Sequence, residues 1–171
     1  GMNIRTNTIK VMTARKHILE LLLSEHNTDC SFCYKSGNCE LQILTNEYKI
    51  PKQSFINLVP LKNYTIDYYS PSIIKDDSKC IRCQRCVRTC EELQSVSALS
   101  VSNKGEHMKI STFLEKPLVD VICTNCGQCV NRCPVGALVE KTYIEQVWDA
   151  IADKSKHVVV QTAPAVRIAL G

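Results

Sequence analysis

Two stretches of this chain repeat one cysteine spacing, x2-x2-x3: Cys80-Ile-Arg-Cys83-Gln-Arg-Cys86-Val-Arg-Thr-Cys90 and Cys123-Thr-Asn-Cys126-Gly-Gln-Cys129-Val-Asn-Arg-Cys133-Pro134. Whatever fold the chain adopts must seat eight thiols on two short loops. The regularity marks an internal repeat of a cysteine-rich unit with a variable insert between the copies. A third clump, His26-Asn-Thr-Asp-Cys30-Ser-Phe-Cys33-Tyr-Lys-Ser-Gly-Asn-Cys39, takes up the rest of the 11 cysteines. With only 3 Phe and 1 Trp in 171 residues, thiol chemistry is expected to supply rigidity that an aromatic core would otherwise give. An odd number of closely spaced cysteines suits a disulfide framework poorly, and the composition excludes disorder and collagen.

A 4Fe-4S cube has four corners, and a Cys-x2-Cys-x2-Cys loop lets three successive thiolates reach three of them without a costly loop closure. The fourth ligand must come from elsewhere. In the bacterial two-cluster pattern, the last cysteine of each run crosses to the other cluster. One cluster is therefore expected on Cys80, Cys83, Cys86 and Cys133, and a second on Cys123, Cys126, Cys129 and Cys90. Cys30, Cys33 and Cys39 are one donor short of a third cube, and His26 fills the vacancy. Eleven thiols and one imidazole make twelve ligands, three cubes of four corners. The other ring nitrogen of His26 is expected to meet a carbonyl or carboxylate.

The rest of the chain reads as a mixture of helices and short strands. Val11, Ala14, Ile18, Leu22 and Leu23 recur at helical spacing, which puts His26 at a helix end. Glu40 to Tyr48 forms a second helix with Asn38 as its N-cap, Leu41, Leu44 and Tyr48 on one face, and Pro51 closing it. Pro51, Pro60 and Pro71 with Tyr64, Ile66, Tyr68 and Tyr69 between them suggest an extended linker with short strands. Ala98 to Val101 and Met108 to Thr112 flank Asn103-Lys-Gly105 as a hairpin. Thr142-Tyr-Ile-Glu145 reads as a capping box opening a helix whose stripe Ile144, Val147, Trp148 and Ile151 packs on the preceding unit, and His157 to Gln161 reads as a strand. The fold class is α+β: a small helical domain, residues 1–50, binding one cluster through one histidine and three cysteines; a linker, 51–79; a two-cluster ferredoxin-like domain, 80–153; and at 154–171 the start of a truncated downstream domain.

Both cysteine runs resemble bacterial-type ferredoxins, and Cys133-Pro134-Val-Gly-Ala137 matches that family's ending, whereas Cys90 is followed by Glu91 and not proline. The spacing His-x3-Cys-x2-Cys-x5-Cys resembles the one-histidine, three-cysteine 4Fe-4S site of hydrogenases and of the large subunit of NADH dehydrogenase (complex I). The order of the sites resembles the accessory region of iron-only (FeFe) hydrogenases over essentially the whole chain. Val158-Val-Val-Gln-Thr162-Ala-Pro164-Ala-Val-Arg167 looks like the opening of their catalytic domain. The resemblance implies a fragment of a longer oxidoreductase, a ferredoxin- or NAD(P)-linked hydrogenase, that relays electrons to a catalytic centre outside these residues. The NADH dehydrogenase and NAD-linked formate dehydrogenase large subunits share parts of the pattern and remain the alternatives. Implied partners are a redox donor or acceptor such as ferredoxin or a flavin or NAD subunit, and the missing catalytic domain.

Zinc is the competing reading for Cys-x2-Cys pairs, as the core of an interaction module, but a tetrahedral ion has no use for the third and fourth cysteines of each run. The formal charge of +4 falls to about −1 once three clusters add roughly −5. This argues against reading Arg82, Arg85 and Arg88 as a nucleic-acid patch. The trio instead predicts a higher potential for the Cys80 cluster than for the Cys123 cluster. His17, His107 and His157 have no vacancy to fill and are expected at the surface or in structural roles. No run of about 18 apolar residues and no secretory leader is present, so a cytoplasmic, non-membrane location is expected. No nucleophile with its base, phosphate loop or catalytic carboxylate pair appears, so these residues are expected to carry no catalytic site.

Overall fold

Thr8 opens the first helix, its hydroxyl accepting a hydrogen bond from the Val11 amide and satisfying one of the donors that a helix start leaves free. The computed structural model describes residues 1–51 and 64–170; Pro60 and the rest of the linker between 52 and 63 lie outside the described residues. Helix α1 spans Ile9–Ser24, and His26 follows directly on its C-cap Glu25, its amide donating to the Leu23 carbonyl. The buried face differs in phase from the expected one. Leu19 is buried and Leu22 and Leu23 pack on the core, whereas Ile18 is exposed. The reason is that α1 meets the core near its C-terminal end, so the contact made there selects the buried face.

Helix α2, Glu40–Glu47, has Cys39 and not Asn38 as its N-cap. Leu41 is buried and Tyr48 packs partly on the core, while Leu44 is exposed. Lys49, with φ 50°, turns the chain before Pro51.

Five short strands are assigned among the described residues: β1 (Ile66–Asp67), β2 (Ile73–Asp76), β3 (Ser100–Ser102), β4 (Lys109–Ser111) and β5 (Leu138–Glu140). β1, β2 and β5 form one antiparallel sheet in that order, with Ile74 opposite Val139. β3 and β4 form the expected hairpin, with Val101 opposite Ile110, and Asn103 and Gly105 provide the positive φ angles its turn needs. Residues 66–76, within the segment read as linker, are thus tied into a sheet whose far edge follows the second cysteine run. Lys141 secures that edge, its amide donating to the Ser72 carbonyl and its ammonium to the Tyr68 carbonyl at 2.8 Å.

The core is built around Ile73, Leu118 and Val135, each about 1% exposed, with Leu99, Ile110 and Leu138. Cys39, Cys86 and Cys133 belong to the same cluster, so thiols stand inside the apolar interior.

Two compact units divide the chain at Lys141. The second unit, Thr142–Gly171, carries α5 (Ile144–Ala152) and α6 (Pro164–Leu170). Its N-cap is Tyr143; the Thr142 hydroxyl accepts from the Ile144 amide but the expected capping box does not form, because the helix begins one residue later than the box requires. Ile144, Val147, Trp148 and Ile151 lie along one face of α5. The run from His157 to Gln161 forms no strand: Val158 to Val160 are β-formers, but a strand needs a paired neighbour, and these residues are exposed without one.

Candidate metal centres

The two cysteine runs fold alike from the first residue. In each, the amide two residues after the first cysteine donates to its sulfur: Arg82 to Cys80 Sγ and Asn125 to Cys123 Sγ, both at 3.4 Å. Left-handed residues fall at equivalent positions, Arg82 (φ 56°) with Gln84 (62°), and Asn125 (55°) with Gly127 (71°). Non-glycine residues adopt this region at a cost of roughly 1–2 kcal/mol each, so the turn is held by the contacts around it. Short helices follow, α3 (Arg85–Arg88) bearing Cys86 and α4 (Gln128–Arg132) bearing Cys129, and they pack on each other.

The copies diverge at the fourth cysteine, for a reason visible in the next residue. Pro134 biases its predecessor towards extended backbone, and Cys133 leaves α4 at φ −71°, ψ 119°. Cys90 has Glu91 after it, and there the helix continues as a widened π-type turn over Thr89–Leu93.

Two pockets result. One is lined by Cys80, Cys83, Cys86 and Cys133, together with Ile81, Ile110, Val135 and Leu138. The other is lined by Cys90, Cys123, Cys126 and Cys129 with Ile73, Leu99 and Leu118. Each pocket therefore takes three cysteines from one run and one from the other. Among the described residues, no three His, Cys, Asp or Glu side chains gather as a single metal ion requires. Four thiols on the wall of one pocket are a donor set that a 4Fe-4S cube can use.

Burial pushes the Cys86 and Cys129 thiols up to about 12, the neighbouring cysteines adding to the effect, and burial also raises Cys80 and Cys133. A metal-free pocket therefore holds neutral thiols, and ligation must displace their protons. The Ala98 amide donates to Cys90 Sγ at 3.2 Å, while the Cys133 thiol donates to the Val135 carbonyl at 3.0 Å. Cys83 and Cys126 are exposed, so each pocket reaches the surface at the middle cysteine of a run.

His26, Cys30, Cys33 and Cys39 lie on the loop between α1 and α2. Cys30 starts a 3-10 turn, the Cys33 amide donates to its carbonyl, and Cys39 is buried as the N-cap of α2. The His26 Nδ1 is buried without a hydrogen-bond partner, and the Lys79 backbone lies close enough to act on the ring. Burial lowers the imidazole pKa, against the upward pull of that backbone, so the ring is kept neutral. A buried ring nitrogen without a partner is a donor that a metal could take.

This loop is fastened to the first pocket by residues that the cysteine pattern does not reveal. The Asn27 amide donates to the Ser78 carbonyl and the Glu40 amide to the Pro134 carbonyl, both at 2.9 Å. Arg82 pairs with Glu25, and Arg85 holds both oxygens of Glu40 at 2.6 and 2.9 Å, keeping the Glu40 carboxyl below its ordinary range. Two of the three arginines read as tuning the Cys80 site thus also anchor the neighbouring loop, and their charge is partly neutralised. Ser70 plays a similar part at the second pocket, where it is fully buried, donates to Asn125 Oδ1 at 2.9 Å and accepts from the Ile73 amide at 3.2 Å. A sequence signal existed only for the acids, since Glu25 and Glu40 each flank a ligand candidate in a region opposite in charge to the arginine-bearing run.

Two family models cover the three cysteine clumps. Residues 15–54 match the NADH-ubiquinone oxidoreductase-G iron-sulfur binding region, and residues 70–139 match the ferredoxin-like domain of NADH-quinone oxidoreductase subunit 3. The NADP-reducing hydrogenase subunit HndD of Solidesulfovibrio fructosivorans is 48% identical over the full 171 residues, which make up 29% of that protein. The NADH-ubiquinone oxidoreductase 75 kDa subunit of Acanthamoeba castellanii is 35% identical over 84% of this chain and 20% of its own length. The chain spans less than a third of these curated relatives. Among solved structures, an NAD+-reducing nickel-iron hydrogenase in its H2-reduced state superimposes with a TM-score of 0.72 at 28% identity, covering 80% of this chain and 58% of the other. The chain carries 4Fe-4S binding regions of the kind found in NADH:quinone oxidoreductase-like and hydrogenase proteins.

Proposed function

We propose that these 4Fe-4S binding regions form a relay of three clusters that passes single electrons between a redox partner and the catalytic centre of an iron-only hydrogenase, for H2 oxidation or proton reduction. The ligand sets are His26, Cys30, Cys33 and Cys39; Cys80, Cys83, Cys86 and Cys133; and Cys90, Cys123, Cys126 and Cys129. The observation that carries this reading is the pair of pockets, each walled by three thiols of one run and one of the other. A bound cluster supplies one-electron redox chemistry; the chain holds it, insulates it and sets its potential. Amide donors at Arg82, Asn125 and Ala98 point at ligand sulfurs and favour the more negative, reduced state. The apolar linings of Ile110, Val135, Leu99 and Leu118 exclude water. The docking of the His26 loop beside Pro134 supports a relay in the order His26 site, Cys80 site, Cys123 site.

The 48% identity to a hydrogenase subunit over the whole chain favours hydrogenase as the parent. The two family matches favour a second reading, the electron-transfer part of an NADH dehydrogenase large subunit. Under either, the partner is a ferredoxin or a flavin or NAD subunit. Among the described residues no helix is long and apolar enough to cross a membrane, which is compatible with the cytoplasmic location we propose.

Iron and acid-labile sulfide determination on anaerobically prepared protein, with paramagnetic resonance after reduction, tests the relay. Three four-iron clusters give about twelve irons per chain, and about eight would remove the His26 site. Zinc in place of iron would end the reading. Hydrogen uptake by the longer parent protein separates the two candidate activities.

A further inference from the structure

Among the described glycines, the one with the tightest surroundings stands between the first and second sites and is itself no ligand candidate. Gly136 is buried three positions after Cys133, and a β-carbon placed on it would stand 2.6 Å from Cys33 Sγ. Real β-carbons do not approach another atom so closely, and the next neighbours, in the Lys79 and Lys35 side chains, stand at an ordinary 3.4 and 3.5 Å. The backbone at Gly136 is not in the left-handed region, so alanine fits its conformation. The glycine is needed for room, and the room is taken by Cys33.

The same short segment makes a second contact with the loop. The amide that donates to the Pro134 carbonyl belongs to Glu40, which is bonded to Cys39, and Pro134 is bonded to Cys133. One hydrogen bond therefore joins the backbone next to a cysteine of the first site to the backbone next to a cysteine of the second.

We propose that Gly136 is a positioning residue whose bare Cα lets Cys33 close on the segment after Cys133, in a contact that the Glu40 amide to Pro134 carbonyl bond shares. The proposal rests on the three-cluster reading given above. Loss of the room at Gly136 displaces Cys33, and with it the first site, while the eight pocket cysteines are not among the three atoms nearest that β-carbon and are expected to keep their places.

The test uses the full chain with its clusters assembled. Gly136→Ala is expected to fall from about twelve irons to about eight, or to keep twelve with the potential and paramagnetic linewidth of the His26 site shifted and its broadening by a neighbouring reduced cluster lost. Twelve irons with unchanged potential and linewidth would overturn the proposal. Wild-type protein with only eight irons would instead overturn the three-cluster reading, whatever the variant does. A double-mutant cycle covers the case in which Gly136→Ala does not fold. In a Cys33→Ala background the clashing sulfur is gone, so adding Gly136→Ala should restore folding and leave iron content and melting temperature equal to those of Cys33→Ala alone. A double variant that melts as far below Cys33→Ala as the single variant does below wild type places the clash elsewhere and refutes the assignment.

Discussion

Replacing Leu118 by alanine should weaken the fold and expose one pocket selectively. Leu118 is 1% exposed and lines the Cys123 pocket beside Cys90, Cys126 and Cys129. Its amide donates to Asp67 Oδ2 at 2.7 Å, a bond that alanine keeps, so the substitution removes side chain alone. Losing about three buried carbons costs roughly 2.4 kcal/mol in transfer free energy at about 0.8 kcal/mol each. A partly collapsed cavity adds about 1 kcal/mol, for a total of about 3–4 kcal/mol. For a unit of this size, that is a fall of roughly 10–15 °C in melting temperature. The matching perturbation is Ile110→Ala, because Ile110 is 3% exposed and lines the Cys80 pocket instead. Both variants, loaded with iron, are followed by circular dichroism during melting and by the decay of each cluster's paramagnetic signal on exposure to air. Leu118→Ala should lose the Cys123 signal first and Ile110→Ala the Cys80 signal first. A shift under about 3 °C in both, or the same order of loss in both, would refute the placing of these side chains as separate walls of two pockets.

Other outcomes follow from the same geometry. Cys133→Ser should perturb the signal of the cluster on Cys80, Cys83 and Cys86 and spare the other, with Cys90→Ser doing the reverse; perturbation of the parent run's own cluster by each would exclude crossed ligation. Arg88→Gln should lower the potential of the Cys80 cluster, and Arg85→Gln should do so less, because Glu40 already offsets that charge; redox-poised spectroscopy gives the order. In the metal-free chain, the folded thiols of Cys86 and Cys129 bind protons more tightly than the unfolded ones, about 12 against 9.0. Their contribution is complete below pH 9 and is lost as pH rises towards 12, so the melting temperature of the metal-free chain should fall across that window while the loaded chain, its thiolates held by metal, stays level. Glu40 titrates in the opposite sense: its lowered pKa gives stability that is present above the ordinary carboxylate range and lost on acidification, and an exposed pair of this kind contributes roughly 0.2–1 kcal/mol. Arg85→Gln should remove that acid-dependent part of the melting curve.

Much of this site could be read from residue order because its determinants are local. The interval x2-x2 fixes each loop, and the two copies reproduce one another down to their left-handed residues and their amide-to-sulfur bonds. Pro134 even explains why the repeats part at their last cysteine, since its ring acts on the residue before it. The helix end before His26 and the hairpin around Asn103-Lys-Gly105 are likewise written in short-range patterns. Where expectation failed, a partner was missing or a contact chose the face. The Val158 to Val160 run has β-forming side chains but no paired strand among the described residues, and α1 buries Leu19 where a helical average favoured Ile18.

The amino-acid order thus set the spacing of the thiols and the shape of each loop that carries them, because bond geometry and backbone sterics act over a few residues. Which loops meet was settled in three dimensions. Glu25 and Glu40 reach Arg82 and Arg85 from 57 and 45 positions away, and Cys33 finds its space over a glycine more than a hundred residues later. Such meetings depend on the summed packing of α1, α2, the sheet and the two cysteine loops around Ile73, Leu118 and Val135, and no short-range pattern encodes that sum.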